Sequence, residues 1–478
     1  MRVFTAKHMN FVFINPPREI ATNNIWSVIN SVNPPLGMAL LSSIWDEQGH
    51  TSQIIDAAAL RLSVPEIIDK INPDTDFVGI TSTTPEIMSG MMIARGLREK
   101  TPHIKIIMGG VHPTIFHEEL VRENICDIVV RNEGEFPIME MAKGTSLDLI
   151  PNLTWKNSQG DIIINPECKT YVDLDRLPFP AYDKLPMHLY HSALGATRQE
   201  PSIGMITSRG CPGKCTFCFS GMFGSRIRFM SPARIIQHIQ HLQHNYGIRE
   251  ISFYDDTFTA NKKHVAELCE LILAKNIKIT WSCFARVDTV TPELLLLMKK
   301  AGCHQIMYGF ESIDVNILKN INKSNDIDQF QKAITWTREA GINIRGAFML
   351  GNPGETIASM EKTIDYAKNA DIQFAIFNIT TPYPGTKMYK DFLHEHSLLH
   401  QNWELYNLAQ PILKLDTVST QVVQQYYYKS YRDFYLRPLF ILRHIFAIRT
   451  FSELLMNNKA ILRITELLLR NIFSKTYL

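Results

Sequence analysis

The feature that most constrains the fold is an alternation of short apolar strands with helices, which runs along the chain in two separate blocks. In the first block, residues 9–143, helices such as 37–48 and 86–98 separate the strands. Strands joined by helical crossovers are usually parallel, so this block predicts an α/β domain with a doubly wound, flavodoxin-like sheet. Its predicted strands are Phe11–Asn15, Ser52–Asp56, Phe77–Thr81, Ile104–Met108 and Asp127–Val130.

The second block, residues 201–400, has a period that suits a parallel barrel. Its predicted strands lie at 203–208, 250–254, 279–285, 304–310, 343–350 and 373–379, with helices at 232–246, 262–275, 292–301, 326–340 and 356–369. Six repeats in place of eight predict a partial (β/α)6 barrel. Residues 144–200 form a predicted connector with a hairpin at 153–155 and 162–164, and residues 401–478 form a basic, helical C-terminal region.

Composition narrows the class of protein. The 478 residues are enough for two or three domains. The chain has 49 Lys and Arg against 47 Asp and Glu, which gives no general case for binding nucleic acid. Eight cysteines in a chain of this length do not form a secreted disulfide pattern, and no apolar stretch approaches the roughly 18 residues of a membrane span. We expect a cytoplasmic enzyme with a small-molecule substrate.

Three cysteines with the spacing CxxxCxxC, Cys211, Cys215 and Cys218, follow the first strand of the second block. No fourth cysteine or histidine is close to them in sequence. A 4Fe–4S cluster normally takes four thiolates, so three leave one iron open to another ligand. A structural zinc site needs four protein ligands, and disulfides need an even number of cysteines. The spacing favours an iron–sulfur site, with zinc as the alternative.

The cysteine motif resembles that of the radical S-adenosylmethionine (SAM) superfamily. The resemblance implies that SAM chelates the open iron and that Phe217 covers its adenine. It also implies SAM contacts at the ends of the later barrel strands. The two acids and the hydroxyl after the second strand would bind the SAM ammonium, and Arg286 after the third strand would bind the SAM carboxylate or a cobalamin amide. Glu311 at the end of the fourth strand would bind the ribose hydroxyls, and glycines of the fifth strand would lie along the adenine. These residues are Asp255, Asp256, Thr257, Arg286, Glu311, Gly346 and Gly351.

Loops at the strand ends of the first block resemble those of the cobalamin-binding domain that precedes many radical SAM barrels. In doubly wound sheets ligands bind beyond these carboxyl ends, and no G-x-G-x-x-G follows the first strand to indicate a dinucleotide. The Asp-x-His-x-x-Gly signature of the methionine-synthase type of cobalamin domain is also absent there. We therefore expect cobalamin without a lower axial histidine, and a structural or pocket role for His112. The resemblance implies a cobalamin slot at Ser82, Thr83, Gly109, Gly110, His112, Glu133 and Gly134.

Together the resemblances imply a cobalamin-dependent radical SAM enzyme. A reduced cluster would cleave SAM to a 5′-deoxyadenosyl radical, and a methyl group from cobalamin would pass to an unactivated carbon, or less often phosphorus, of a small-molecule or lipid-like substrate. An oxidative cyclase or another non-methylating radical reaction is the alternative. A tRNA methylthiotransferase would need a second cysteine triad, but the first block contains only Cys126. A cobalamin or redox sensor also stays open, and an electron donor such as flavodoxin or ferredoxin is expected.

The C-terminal region is distinct in composition. Residues 421–478 contain nine Lys or Arg and three Asp or Glu, interleaved with aromatic residues. Basic amphipathic helices of this type can lie on an anionic membrane surface. The sequence therefore leaves two expectations, a helical cap over the barrel or a peripheral contact with the inner face of the membrane.

Overall fold

The computed structural model describes residues 8–18, 31–168, 171–193, 195–219, 222–224, 226–323, 326–438 and 440. Its strands are β1 Asn10–Asn15, β2 Thr51–Asp56, β3 Phe77–Thr81, β4 Lys105–Gly109, β5 Ile128–Val130, β6 Leu153–Lys156, β7 Ile162–Ile164, β8 Ser202–Met205, β9 Ser208–Arg209, β10 Arg228–Phe229, β11 Glu250–Phe253, β12 Thr280–Ala285, β13 Cys303–Glu311, β14 Asn343–Leu350 and β15 Phe374–Ile379.

Helices α1 to α7 belong to the first block, and α8 to α15 follow the cysteine motif. They are α1 Leu36–Glu47, α2 Ala57–Leu60, α3 Val64–Asp69, α4 Ile87–Lys100, α5 Val111–Ile115, α6 His117–Arg122, α7 Glu135–Ala142, α8 Pro232–Tyr246, α9 Lys262–Ala274, α10 Pro292–Lys300, α11 Val315–Asn320, α12 Ile327–Glu339, α13 Ile357–Asn369, α14 Lys387–His394 and α15 Thr420–Tyr435.

The first sheet has seven strands in the order β2-β1-β3-β4-β5-β6-β7. Strands β1 to β5 are parallel, which confirms the doubly wound arrangement. The hairpin that the sequence assigns to the connector pairs antiparallel with β5 and extends this sheet. Leu153 and Trp155 of β6 are buried, so the hairpin packs as part of the first unit.

The second sheet has six parallel strands in chain order, β8 followed by β11 to β15, which confirms the partial barrel. Side chains alternate between its two faces. In β12, Trp281, Cys283 and Ala285 are buried, whereas the residues between them are partly exposed. Cys283 lies near Cys303 and Cys269 on the buried face, and burial raises its thiol pKa.

Strand β15 ends the barrel sheet, and α15 packs against it with two tyrosines. The Tyr431 hydroxyl accepts from the Phe377 amide (3.2 Å) and donates to the Phe377 carbonyl (2.9 Å). The Tyr435 hydroxyl makes the same two bonds with Ala375, at 3.2 and 2.7 Å. Four helical residues rise about 6 Å and two strand residues about 7 Å, so the spacings match. The two hydroxyls thus take the place of a neighbouring strand.

We expect Tyr431→Phe and Tyr435→Phe each to lower the free energy of unfolding by about 1–3 kcal/mol, because each leaves a backbone amide and carbonyl unpaired. Denaturant unfolding followed by circular dichroism measures this change. Tyr426→Phe is the matched control, since the Tyr426 hydroxyl binds Glu361 at an exposed position. Equal losses in all three variants would contradict the role of the two edge tyrosines.

The C-terminal region is described as far as residue 440. There α15 confirms that the region is helical, and it packs against the barrel at the edge strand β15 through Tyr431 and Tyr435. Residues 441–478, on which most of the predicted membrane contact depends, lie outside the described residues. Within the part of the chain that the structure describes, no helix is long and apolar enough to cross a membrane.

Candidate active site

The cysteines lie on a loop at the carboxyl ends of the barrel strands. The sequence predicts one strand over 203–208, but β8 ends at Met205 and the chain turns into β9, which pairs antiparallel with β10. This two-strand ribbon closes a loop of residues 210–227. The loop is anchored to the barrel by the Thr216 amide, which donates to the Ile321 carbonyl, and by the Thr216 carbonyl, which accepts from the Met388 amide.

The three thiols share one environment. The Cys211 sulfur lies 3.6 Å from the Thr257 hydroxyl oxygen and accepts from the Gly213 amide at 3.4 Å. Burial raises the pKa of Cys215, and raises that of Cys218 to about 11 with help from Asp256. No three metal-binding side chains converge into a closed site among the described residues. The donor chemistry nevertheless fits a thiophilic metal cluster, because three thiols on one loop can be drawn together by metal binding.

The two predicted acids of the second barrel strand have different surroundings. Asp255 is buried and accepts from the Thr207 amide and hydroxyl, both at 2.6 Å, and from the Ser208 hydroxyl at 2.9 Å. These bonds hold the bend between β8 and β9. Asp256 is the acid near the thiols, since its charge helps to raise the pKa of Cys218. Asp255 therefore supports the loop from beneath, and Asp256 is the carboxylate available to a ligand.

Charged residues from the third and fourth strand ends, together with Lys323 after helix α11, surround Cys215. Arg286 donates to both carboxylate oxygens of Asp288, at 3.0 and 2.8 Å. Glu311 pairs with Lys323 at 3.0 Å. Lys323 and Arg286 oppose the rise in the pKa of Cys215, because a cation stabilises a thiolate. The sequence pointed to Arg286 and Glu311, but no motif pointed to Lys323.

The two glycines predicted to lie along the adenine have packing roles. A Cβ on Gly346 would lie 2.9 to 3.2 Å from atoms of Phe348, Ile372 and Phe310, which are buried residues. Gly351 has φ +76°, and a Cβ there would lie 2.8 Å from Val423 of α15. These contacts explain why glycine is needed at both positions. The predicted contact of Gly346 and Gly351 with adenine stays a prediction.

A cavity of about 260 Å³ lies where the first domain meets the barrel. Its lining is mainly apolar, and it runs along the first sheet from the carboxyl ends of the strands. Gly110 lines it with φ +96°, and a Cβ there would lie 2.8 Å from the Ser82 carbonyl oxygen, so only glycine fits this turn. The predicted residues that line the cavity are Gly109, Gly110, Glu133 and Gly134.

Three predicted residues do not line this cavity. Ser82 is buried, and its hydroxyl lies so close to Gly90 that a Cβ on that glycine would contact it. The Thr83 hydroxyl donates to Glu86 at 2.8 Å in a capping box. His112 is buried, with Nδ1 3.2 Å from the Thr84 hydroxyl. Burial lowers the pKa of His112 to about 4, so the ring is neutral at pH 7. The structure thus favours a packing role for His112, the first of the two roles predicted for it.

The barrel side of the cavity carries polar residues that no sequence pattern indicated. Phe179 stacks on His238 at 4.5 Å between ring centroids, and the Arg234 guanidinium lies 3.9 Å from the Phe179 ring centroid. The Tyr182 hydroxyl lies 3.0 Å from Nε2 of His238. Arg209 also lines the cavity. Arg234 and His238 lie on helix α8, where such residues are typical of a polar face, so the sequence alone gives no signal for them.

Comparisons with known proteins match both sheets. A family model for the radical SAM superfamily matches residues 205–367, and one for a B12 binding domain matches residues 25–142. The chain is 36% identical over 449 residues to an uncharacterized methyltransferase of Pyrococcus horikoshii, covering 92% of this chain and 95% of the relative. It is 25% identical over 453 residues to the anaerobic magnesium-protoporphyrin IX monomethyl ester cyclase of Rubrivivax gelatinosus, covering 91% and 78%.

A solved structure has the same fold. The radical SAM methyltransferase TsrM from Kitasatospora setae, with cobalamin and a 4Fe–4S cluster bound, matches with a TM-score of 0.65 and 17% sequence identity. The match covers 82% of this chain and 76% of that one. At this identity the likeness concerns the arrangement of the two sheets and the helices around them.

Proposed function

Because the chain belongs to the radical SAM superfamily and carries a B12 binding domain, we propose that it is a cobalamin-dependent radical SAM methyltransferase. Its acceptor would be an unactivated carbon, or less often phosphorus, of a small-molecule or lipid-like substrate. One observation carries the proposal: the cysteine loop and the cavity of the first domain share a wall, since Met222 and Phe223 of the loop line that cavity together with Arg209 of the ribbon. Two reactive groups could therefore meet at one substrate.

In this proposal Cys211, Cys215 and Cys218 hold the cluster. When bound, the cluster supplies an electron for the cleavage of SAM, and cobalamin supplies a transferable methyl group. Asp256 accepts from the SAM ammonium, as a carboxylate beside a cation does. Phe217, which directly precedes Cys218 and is partly buried, covers the adenine.

Arg286 and Glu311 complete the SAM contacts. Asp288 holds the Arg286 guanidinium in place, and this permanently charged group can bind a carboxylate. Glu311, which pairs with Lys323, accepts from ribose hydroxyls. The apolar wall of the cavity keeps water away from the reacting groups.

On the first domain, Gly109, Gly110 and Gly134 leave room for cobalamin along the cavity. His112 packs elsewhere, so we propose that it does not ligate cobalt. A second candidate function, oxidative cyclisation without methyl transfer, is favoured by the likeness to the Rubrivivax gelatinosus cyclase. In either case we propose that a small electron carrier such as flavodoxin or ferredoxin reduces the protein.

An anaerobic assay tests the function. The protein is reconstituted with iron, sulfide and cobalamin, desalted, and incubated with SAM and a strong reductant. Retained cobalamin with both 5′-deoxyadenosine and S-adenosylhomocysteine supports methyl transfer. Retained cobalamin with 5′-deoxyadenosine alone supports the cyclase alternative. Loss of cobalamin on desalting would contradict the role of the first domain, and an intact cluster that forms no 5′-deoxyadenosine would contradict the radical SAM activity.

A further inference from the structure

The ribbon that closes the cysteine loop contains two arginines that face each other. Arg209 of β9 lies directly opposite Arg228 of β10, and their side chains are only 13% and 15% exposed. Like charges directly opposite one another weaken a strand pair, and burial strengthens their repulsion because less water screens it. The ribbon therefore needs a counter-charge to stay closed.

The first domain supplies that counter-charge. One carboxylate oxygen of Glu133 accepts from Arg209 at 3.0 Å and from Arg228 at 3.2 Å, and the other oxygen accepts a second bond from Arg228. Glu135 accepts a further bond from Arg209. Both acids are at most 10% exposed, so these pairs are poorly screened. Glu133 thus bridges the two arginines that repel each other.

The turn that carries Glu133 and Glu135 borders the cavity. Glu133, Gly134 and Glu135 all line it, directly after β5 and at the start of α7. One carboxylate oxygen of Glu135 is buried and has no hydrogen-bond partner among the described residues. A ligand with amide N–H groups, as cobalamin has, can satisfy that oxygen. The cavity and the base of the cysteine loop therefore meet at one short turn.

We propose that Glu133 is a positioning residue that couples occupancy of the cavity to closure of the cysteine loop. A ligand that donates to Glu135 orders the turn, and the ordered turn holds Glu133 between Arg209 and Arg228. On the barrel side, Asp255 fixes the other end of β9 through Thr207 and Ser208. This inference rests on the proposed function only for what the two sites hold.

Hydrogen exchange measured by mass spectrometry on the full, ligand-free chain tests the coupling. Glu133→Gln keeps the shape but removes the charge that compensates the two arginines. We expect amides of residues 206–230 to exchange about tenfold faster or more in this variant. Glu118→Gln, which breaks an exposed pair with Arg122 on α6, is the matched control and should leave this segment unchanged. Equal exchange in wild type and Glu133→Gln would overturn the proposal.

A second variant separates charge compensation from simple loss of a contact. In Glu133→Gln combined with Arg228→Gln, one of the facing charges is gone, and Arg209 keeps Glu135. We expect exchange of residues 206–230 to return to within about threefold of wild type, a non-additive result. Exchange faster than in the single Glu133 variant would instead indicate a packing role and overturn the proposal. Because the double variant is expected to be the more ordered one, it also guards against misfolding of the single variant.

Added hydroxocobalamin then tests communication between the sites. In the wild type it should slow exchange in residues 128–142 and in residues 206–230, whereas in Glu133→Gln it should slow only the first segment. Slowing of both segments in the variant would overturn the coupling. Slowing of neither segment in the wild type would contradict the proposed function of the first domain, and the ligand-free comparison would still decide the role of Glu133.

Discussion

Replacing Cys215 by alanine is expected to remove the iron–sulfur absorbance of the reconstituted protein and to reduce 5′-deoxyadenosine formation by more than about a hundredfold. Loss of an outer-shell partner alone typically costs about 10- to 100-fold, and Cys215 is itself a proposed ligand. Two thiols cannot replace three, because Lys323 and Arg286 near Cys215 are not ligands for iron and the Glu311 carboxylate is paired with Lys323. Iron and sulfide content, the visible spectrum and the 5′-deoxyadenosine yield measure the effect.

Cys168→Ala is the matched control, because Cys168 lies in the connector and outside the cysteine loop. It should retain iron and activity close to those of the wild type. The fold of Cys215→Ala should also persist, since the loop is anchored by backbone bonds of Thr216 that the substitution leaves in place. A Cys215→Ala protein that keeps a 4Fe–4S spectrum and forms 5′-deoxyadenosine would contradict the assignment of the three cysteines.

Most of the fold follows from local patterns. The parallel strands of both sheets lie within about two residues of their predicted bounds, because buried parallel strands are continuous apolar runs with clear ends. The exception is 203–208, where Asp255 draws Thr207 and Ser208 into a bend. The pairing of the hairpin with β5 was also missed, since helix α7 separates the partners in sequence and no local signal encodes that pairing.

The residues of the site that belong to a local sequence motif could be predicted, whereas those that depend on tertiary contacts could not. The spacing of Cys211, Cys215 and Cys218 identifies them without a structure. By contrast, the sequence did not tell which of Asp255 and Asp256 faces the thiols, because both lie beyond the end of β11 at Phe253, where the alternation of a strand no longer applies. The opposition of Arg209 and Arg228 was not predictable either, since 18 intervening residues separate them.

Gly109→Leu is expected to weaken cobalamin binding by about 10- to 100-fold, which corresponds to an overpacking cost of about 1–3 kcal/mol. Gly109 lines the cavity, and a Cβ there would make only an ordinary contact, 3.5 Å from the Val130 carbonyl oxygen. The leucine side chain can therefore extend into the cavity without straining the backbone. Equilibrium dialysis with hydroxocobalamin measures the change.

The comparison with Gly109→Ala makes the test one of volume alone. A methyl group occupies little of the cavity, so the alanine variant should lose much less affinity than the leucine variant. The ligand-free leucine variant should unfold at the same temperature as the wild type or higher, because its side chain fills apolar space that is open in the protein. The cysteine loop is untouched, so cluster content should not change. Unaltered cobalamin binding in a folded Gly109→Leu protein would place the cobalamin outside this cavity and contradict the proposed use of the first domain.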